Sequence, residues 1–300
     1  MAILLVAVAL AGCRPHRQET AADAMRQGPI VFSSKRDGNW NIYKMEPEGS
    51  HVQQLTHTKG EDRESMYPSW SPDRKKIAFA SNQDGGFEIY VMSADGSNVT
   101  QLTRNSGSDD PAWAPDGKRI AYTSTRDGHG EIWVMNGDGS SPRQLTQTAG
   151  EGEGSFNAGW SPDGTKISFI SSRDAKSSSL NELEVYTMNV DGSNVKRLTS
   201  NGVFDGYPDW SPDGKKITFY SGPVQTGEWD IYALAADGTN LQRLTRNSGR
   251  DTRPRWSTDG KRIAFRSDQD GNSEIYVMDS DGSHARRLTF DKAPDRHPDW

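Results

Sequence analysis

Residues 208–221 read Pro208-Asp209-Trp210-Ser211-Pro212-Asp213-Gly214-Lys215-Lys216-Ile217-Thr218-Phe219-Tyr220-Ser221. Ser, Pro and Gly at the first, second and fourth positions of Ser211–Gly214 suit a type I turn. Large apolar residues then alternate at Ile217 and Phe219, the period of a strand. The tryptophan of this stretch belongs to a series: Trp70, Trp113, Trp160, Trp210, Trp256 and Trp300, at spacings of 43, 47, 50, 46 and 44. Matching turns follow at Ser71-Pro72-Asp73-Arg74, Ala114-Pro115-Asp116-Gly117, Ser161-Pro162-Asp163-Gly164 and Ser257-Thr258-Asp259-Gly260. Arg74 and Thr258 each depart from the pattern once.

The rest of the repeat is equally regular. A strand such as Ile77-Ala78-Phe79-Ala80-Ser81 leads to a loop that often holds Asp-Gly, as at Asp37, Asp84, Asp127 and Asp270. A second strand follows, such as Glu88-Ile89-Tyr90-Val91-Met92. Another Asp-Gly turn comes at Asp95, Asp138, Asp191, Asp237 and Asp281, and the last strand ends in Leu-Thr. Asp-Gly between alternating runs is a strong hairpin signal. Each unit therefore predicts a four-stranded antiparallel meander. One such unit cannot bury both faces, and stacking units around an axis solves this. The expected fold is all-β: a six-bladed β-propeller over residues 29–300. Residues 30–56 supply three strands of one blade, and residues 298–300 supply its fourth. Pairing the N- and C-terminal segments closes the ring and removes an open sheet edge. A monomer is expected.

Composition fits this reading. Hydrophobic residues make up 32% of the 300 residues, and 30 glycines supply turns. Net charge is −6, which argues against a nucleic-acid surface. Cys13 is the single cysteine and cannot form an internal disulfide. It ends an apolar run over residues 2–11 that is too short to span a bilayer as a helix and has the length of a signal-peptide core. Leu10-Ala11-Gly12-Cys13 resembles the lipobox of bacterial lipoproteins, although no Lys or Arg precedes the run. The resemblance implies a signal peptide over residues 1–13 and lipidation of Cys13. The polar stretch 14–28 reads as a flexible tether, with a reach of about 20 Å.

The repeat itself resembles the WD40-like propeller repeat of the TolB family. The carrying pattern is Pro-x-Trp-Ser-Pro-Asp-Gly-x-x-Ile-x-Phe-x-Ser, then Ile-Tyr-x-Met-x-x-Asp-Gly and Leu-Thr. The resemblance implies an exported protein of the periplasm or cell envelope that acts as an interaction scaffold. The chain is expected to lack the α/β domain that precedes the propeller in TolB itself, so TolB's particular partners are not expected to transfer.

Strand order assigns the loops to two faces. The Pro-Asp-Gly turns and the second Asp-Gly turns share one face, here the turn face. The middle loops and those after Leu-Thr share the other, the variable face, where binding is expected. Residues 173–183 and 221–228 make the fourth and fifth blades individual. Asp205, Asp251 and Asp295 each precede the motif tryptophan by five residues, with Asp109 and Glu64 near the same position. They either ring the channel mouth, where they could hold a cation such as calcium or a basic peptide end, or cap their own loops. Six equivalent tryptophans point to packing between blades. Trp40, Phe156, Phe204 and Trp229 depart from the repeat on the variable face and are candidate contact residues.

No nucleophile elbow appears, and the histidines show no metal-ligand spacing. The leading expectation is a non-enzymatic scaffold that meets an envelope protein and is tied to the membrane by its lipid. The alternative is a binder of a small ligand, glycan or cation at the channel mouth. A further one rests on resemblance to metal-dependent oligogalacturonate lyases, with His57 and His297 on the variable face.

Overall fold

The structure is a computed structural model that describes residues 28–148, 153–175 and 182–300. The expected export signal, Cys13 and nearly all of the expected tether lie outside these residues. All 24 elements among the described residues are strands, arranged as six four-stranded antiparallel sheets. Blade 2 shows the plan, with β4 (Ser65–Trp70), β5 (Lys76–Ser81), β6 (Glu88–Ser93) and β7 (Thr100–Gln101) in spatial order. Blades 3 to 6 repeat it from innermost strands β8 (Ser108–Trp113), β12 (Ser155–Trp160), β16 (Phe204–Trp210) and β20 (Thr252–Trp256). Blade 1 joins the chain ends. Its inner strand β24 (Asp295–Asp299) pairs with β1 (Ile30–Asp37) through Val31–Asp299, Ser33–Arg296 and Ser34–Asp295.

Each motif residue has a local job. In the turn after β4, Ser71 Oγ donates to Asp73 Oδ1 at 2.7 Å and accepts the Lys76 N–H at 2.9 Å. The fourth turn position is left-handed, with φ of 71° at Gly214, which glycine adopts without steric cost. Arg74 takes the same conformation, and its guanidinium lies 5.4 Å from the Trp70 ring and donates to the Pro29 carbonyl. The Thr of Leu-Thr acts as a clip. Thr146 Oγ1 accepts the Ile132 N–H at 2.9 Å and donates to the Glu131 carboxylate. The Tyr of Ile-Tyr holds the middle loop: Tyr90 donates to Asp84 at 2.7 Å and Tyr186 to Asp174 at 2.8 Å.

The core lies between blades. Val31, Ile42 and Leu55 of blade 1 pack against Trp70, Ile77, Phe79 and Tyr90 of blade 2. All six motif tryptophans are buried. Each apolar face is thus covered by the next blade, which places the structural load on the ring as a whole.

Candidate functional site

Every innermost strand slips its register at the same place. The shifts fall between Met66 and Ser69, Asp109 and Ala112, Phe156 and Gly159, Gly206 and Asp209, and Thr252 and Arg255. A sixth shift lies where β24 meets β1. The residue three before each tryptophan sits in this bulge: Tyr67, Asp110, Asn157, Tyr207, Arg253 and His297. All six have left-handed backbone, with φ between 47° and 57°. A bulge re-aims its side chain. Left-handed backbone costs a non-glycine residue about 1–2 kcal/mol, so six such residues at one level mark a site under constraint.

These side chains close the central channel. The Arg253 guanidinium lies 3.7 Å from the Tyr207 ring centre and 5.0 Å from that of Tyr67. It faces Asp110, from the opposite blade, at 3.8 Å. Asp110 Oδ2 accepts from Tyr207 Oη at 2.8 Å and from Asn157 Nδ2. His297 stacks on Tyr67 with ring centres 4.3 Å apart, and its Nδ1 lies 3.2 Å from Ser33 Oγ. Burial holds the His297 imidazole well below its ordinary pKa, and the guanidiniums of Arg253, Arg296, Arg266 and Arg255 add to this. Burial also pushes the Tyr67 phenol up to about 12. The plug is therefore a set of neutral rings around one cation and one acid.

Below the plug, on the turn face, a cavity of about 290 Å³ opens. The residues immediately before the tryptophans give it two unlike sides. Ser69, Ala112 and Gly159 leave room, whereas Asp209, Arg255 and Asp299 fill theirs. Arg255 reaches Asp209 at 3.1 Å and Asp299 at 3.5 Å. Each of these acids also accepts the backbone N–H of the next blade's tryptophan at 2.8 Å, Trp256 for Asp209 and Trp70 for Asp299.

The expected acidic ring is corrected. Asp205, Asp251 and Asp295 lie within one residue of the start of the inner strands but are fully buried, because alternation turns them into the seams between blades. Asn201 Nδ2 donates to Asp205 at 2.9 Å, Asn247 Nδ2 to Asp251 at 2.7 Å, and Arg36 Nη2 to Asp295 at 2.9 Å. Burial pushes the carboxyls of Asp205 and Asp251 up to about 7 and about 6. Their true equivalents in blades 2 to 4 are the buried Ser65, Ser108 and Ser155, not Glu64 and Asp109. Glu64 is half-buried before β4, with its backbone N–H bonded to Asn82. Asp109 adjoins the plug residue Asp110; burial and that neighbour push it up to about 8. Among the described residues no three His, Cys, Asp or Glu side chains come together to hold a metal ion. His57 is exposed in the loop after Leu-Thr, while His297 is inside the plug.

Three of the four expected aromatics join the mouth above the plug. Phe204 stacks on Tyr220 at 5.7 Å and on Trp229 at 6.1 Å, and Tyr220 continues to Tyr207 at 6.1 Å. Trp40 lies 6.4 Å from His297 and carries Arg296 at 5.0 Å. Phe156 instead fills the space over two glycines, Gly130 and Gly154, where any Cβ would collide with its ring. The plug residues were invisible to motif reading because their types differ from blade to blade. The available signal was that difference itself: one variable polar position inside an otherwise repeated strand.

A search of curated proteins finds no match. Among solved structures, TolB from Acinetobacter baumannii aligns with a TM-score of 0.78 at 23% identity, over 91% of this chain and 66% of that one. A protein described as TolB from Agrobacterium tumefaciens aligns with a TM-score of 0.69 at 24% identity, over 87% and 88%. An oligogalacturonate lyase in complex with manganese aligns with a TM-score of 0.57 at 17% identity, over 87% and 73%. At these identities the likeness is one of fold. The chain spans slightly less than two thirds of the Acinetobacter TolB. The TolB beta propeller domain profile matches residues 26–109, 62–182 and 222–300. With this profile matched over most of the chain's length and six blades closed into a ring, the chain belongs to the TolB β-propeller family.

Proposed function

We propose that the protein is a non-enzymatic interaction scaffold of the bacterial cell envelope, anchored through Cys13 and meeting its partner with the variable face. The plugged channel carries this reading. Residues with left-handed backbone there form a floor under a mouth rich in aromatic and arginine residues, the types that dominate protein interfaces. The variable face also carries Phe290, which is 74% exposed, and the exposed Val224. Gly28 and Pro29 accept hydrogen bonds from the indoles of Trp300 and Trp70, next to the turn-face opening. A lipid anchor before them would draw the turn face toward the membrane and leave the variable face free.

The test is capture of an envelope partner by the detergent-solubilised full chain, beside a Trp229→Ala, Phe290→Ala double variant. The partner is expected with the first and lost with the second at equal folding. Capture that is equal for both would move the interface elsewhere, and no capture would count against a scaffold. For the anchor, Cys13→Ser is expected to shift the protein from the membrane pellet to the soluble fraction.

A second reading concerns the turn-face cavity. The Trp113 indole N–H lines it, buried and without an acceptor. A small ligand with a hydrogen-bond acceptor would fit there. A ligand that raises the melting midpoint of the parent but not of Trp113→Phe would support this reading.

A further inference from the structure

Two guanidiniums at the mouth, Arg266 and Arg296, stand beside the plug cation Arg253, and the three are at most loosely paired. Arg253 and Arg266 are 18% and 14% exposed, and their nearest carboxylates are Asp110 at 3.8 Å and Asp268 at 3.7 Å. Arg296 lies over Trp40, and its buried Nε meets no acceptor. Arg36 and Arg197, by contrast, pair closely, with Asp295 and Glu184, both at 2.9 Å. The three are neighbours by construction. Thr252 faces Arg266 across the β20 ladder and precedes Arg253, while Arg296 precedes His297, which stacks on the same Tyr67 that Arg253 covers. Mutual repulsion follows. Burial pushes Arg266 down to about 10, with Arg296 and Arg253 adding to it. The neighbouring acids offset the three cations only in part: Asp268 Oδ1 also accepts the Arg250 backbone N–H at 2.6 Å, and Asp110 also accepts from Tyr207 and Asn157.

Partly buried cations that are only loosely paired are costly, and an arriving anion relieves that cost. The site is shallow because the plug blocks the channel, so it accepts one projecting group and not a threaded chain. Aromatic rings underlie it: the buried Trp40 beneath Arg296 on the blade 1 side, and the buried Tyr220 with the half-buried Trp229 on the blade 5 side. We propose that this mouth binds a carboxylate side chain within an acidic segment of the partner protein, received by Arg266 and Arg296. The inference rests on the scaffold reading and gives the partner its chemistry. It also reverses the expectation of a cation at the mouth.

The probe is fluorescein-labelled hexaglutamate, titrated with the full chain and followed by anisotropy. Saturable binding is expected, weakened about ten-fold or more by Arg296→Gln and by Arg266→Gln, the loss of one charged hydrogen bond. The same variants should raise the melting midpoint of the free protein, because they remove repulsion; a purely structural arginine would lower it. No saturable binding, or binding that both variants leave unchanged, overturns the inference. Tighter binding of tri-galacturonate at the same site overturns it in favour of a uronate glycan. An envelope partner captured equally well by both variants leaves the scaffold standing and overturns this inference alone.

Discussion

Arg253 is held by stacking more than by ion pairing. A planar guanidinium between two phenol rings gains cation–π attraction while keeping its charge, and Asp110 at 3.8 Å adds only distant compensation. The buried acids at the blade seams behave differently. Burial raises Asp205 to about 7. A raised acid stabilises the fold fully below its unfolded value, near 3.9, and loses that contribution as pH rises through the folded value. Asp205→Ser, which copies Ser155 of the preceding blade, removes this dependence. The midpoint of the variant relative to the parent is expected to be higher at pH 8 than at pH 5 by thermal unfolding. An offset that does not change between the two would mean that Asp205 does not titrate in this range.

At the element scale, two features recur six times and neither is decoration. The first is the bulge that aims the plug. The second is the threonine clip that ties the last strand of each blade to its third. Thr146→Val keeps the shape but leaves the Ile132 N–H and the Glu131 carboxylate short of a buried partner. A loss of about 2–3 kcal/mol is expected in denaturant unfolding, against near neutrality if the clip only fills space. The seams also show compensation within the repeat. Where Asp stands five before the tryptophan, the residue before Leu-Thr of the preceding blade is arginine: Arg197, Arg243 or Arg287. Each pairs with the acid that opens the third strand, Glu184, Asp230 or Glu274. Where Ser stands, that position is Gln54, Gln101 or Gln144. A second buried acid at a seam is accompanied by its own cation, as burial of like charges requires.

Over the whole molecule, this seam pattern and the cavity divide the ring into two halves. Blades 2 to 4 carry serine at the seams and small residues at the turn-face opening; blades 5, 6 and 1 carry aspartate and charge. Closure rests on the pairing of β24 with β1 and on the indole of Trp300 reaching Gly28. A chain ending at Pro294 would expose the inner edge of β1 and uncover the cores on both sides of blade 1. Its thermal midpoint is expected to fall by on the order of 10 °C, with early proteolysis in blade 1. Unchanged cooperativity would mean that the clasp is dispensable.

The sequence alone determined the blades, their number and the closure, because each rests on local chemistry: turn residues, alternation and a tryptophan at a repeating interval. It also singled out Trp40, Phe156, Phe204 and Trp229 as departures from an otherwise regular repeat. It left Asp205, Asp251 and Asp295 open between a channel ring and a loop cap, because one step along a strand decides between a seam and a channel, and a bulge resets that count without leaving a residue signature. Which side chains meet at the axis was decided only by the tertiary structure. Tyr67, Asp110, Tyr207 and Arg253 come from four blades and lie far apart in the chain, and only ring closure brings them within bonding distance.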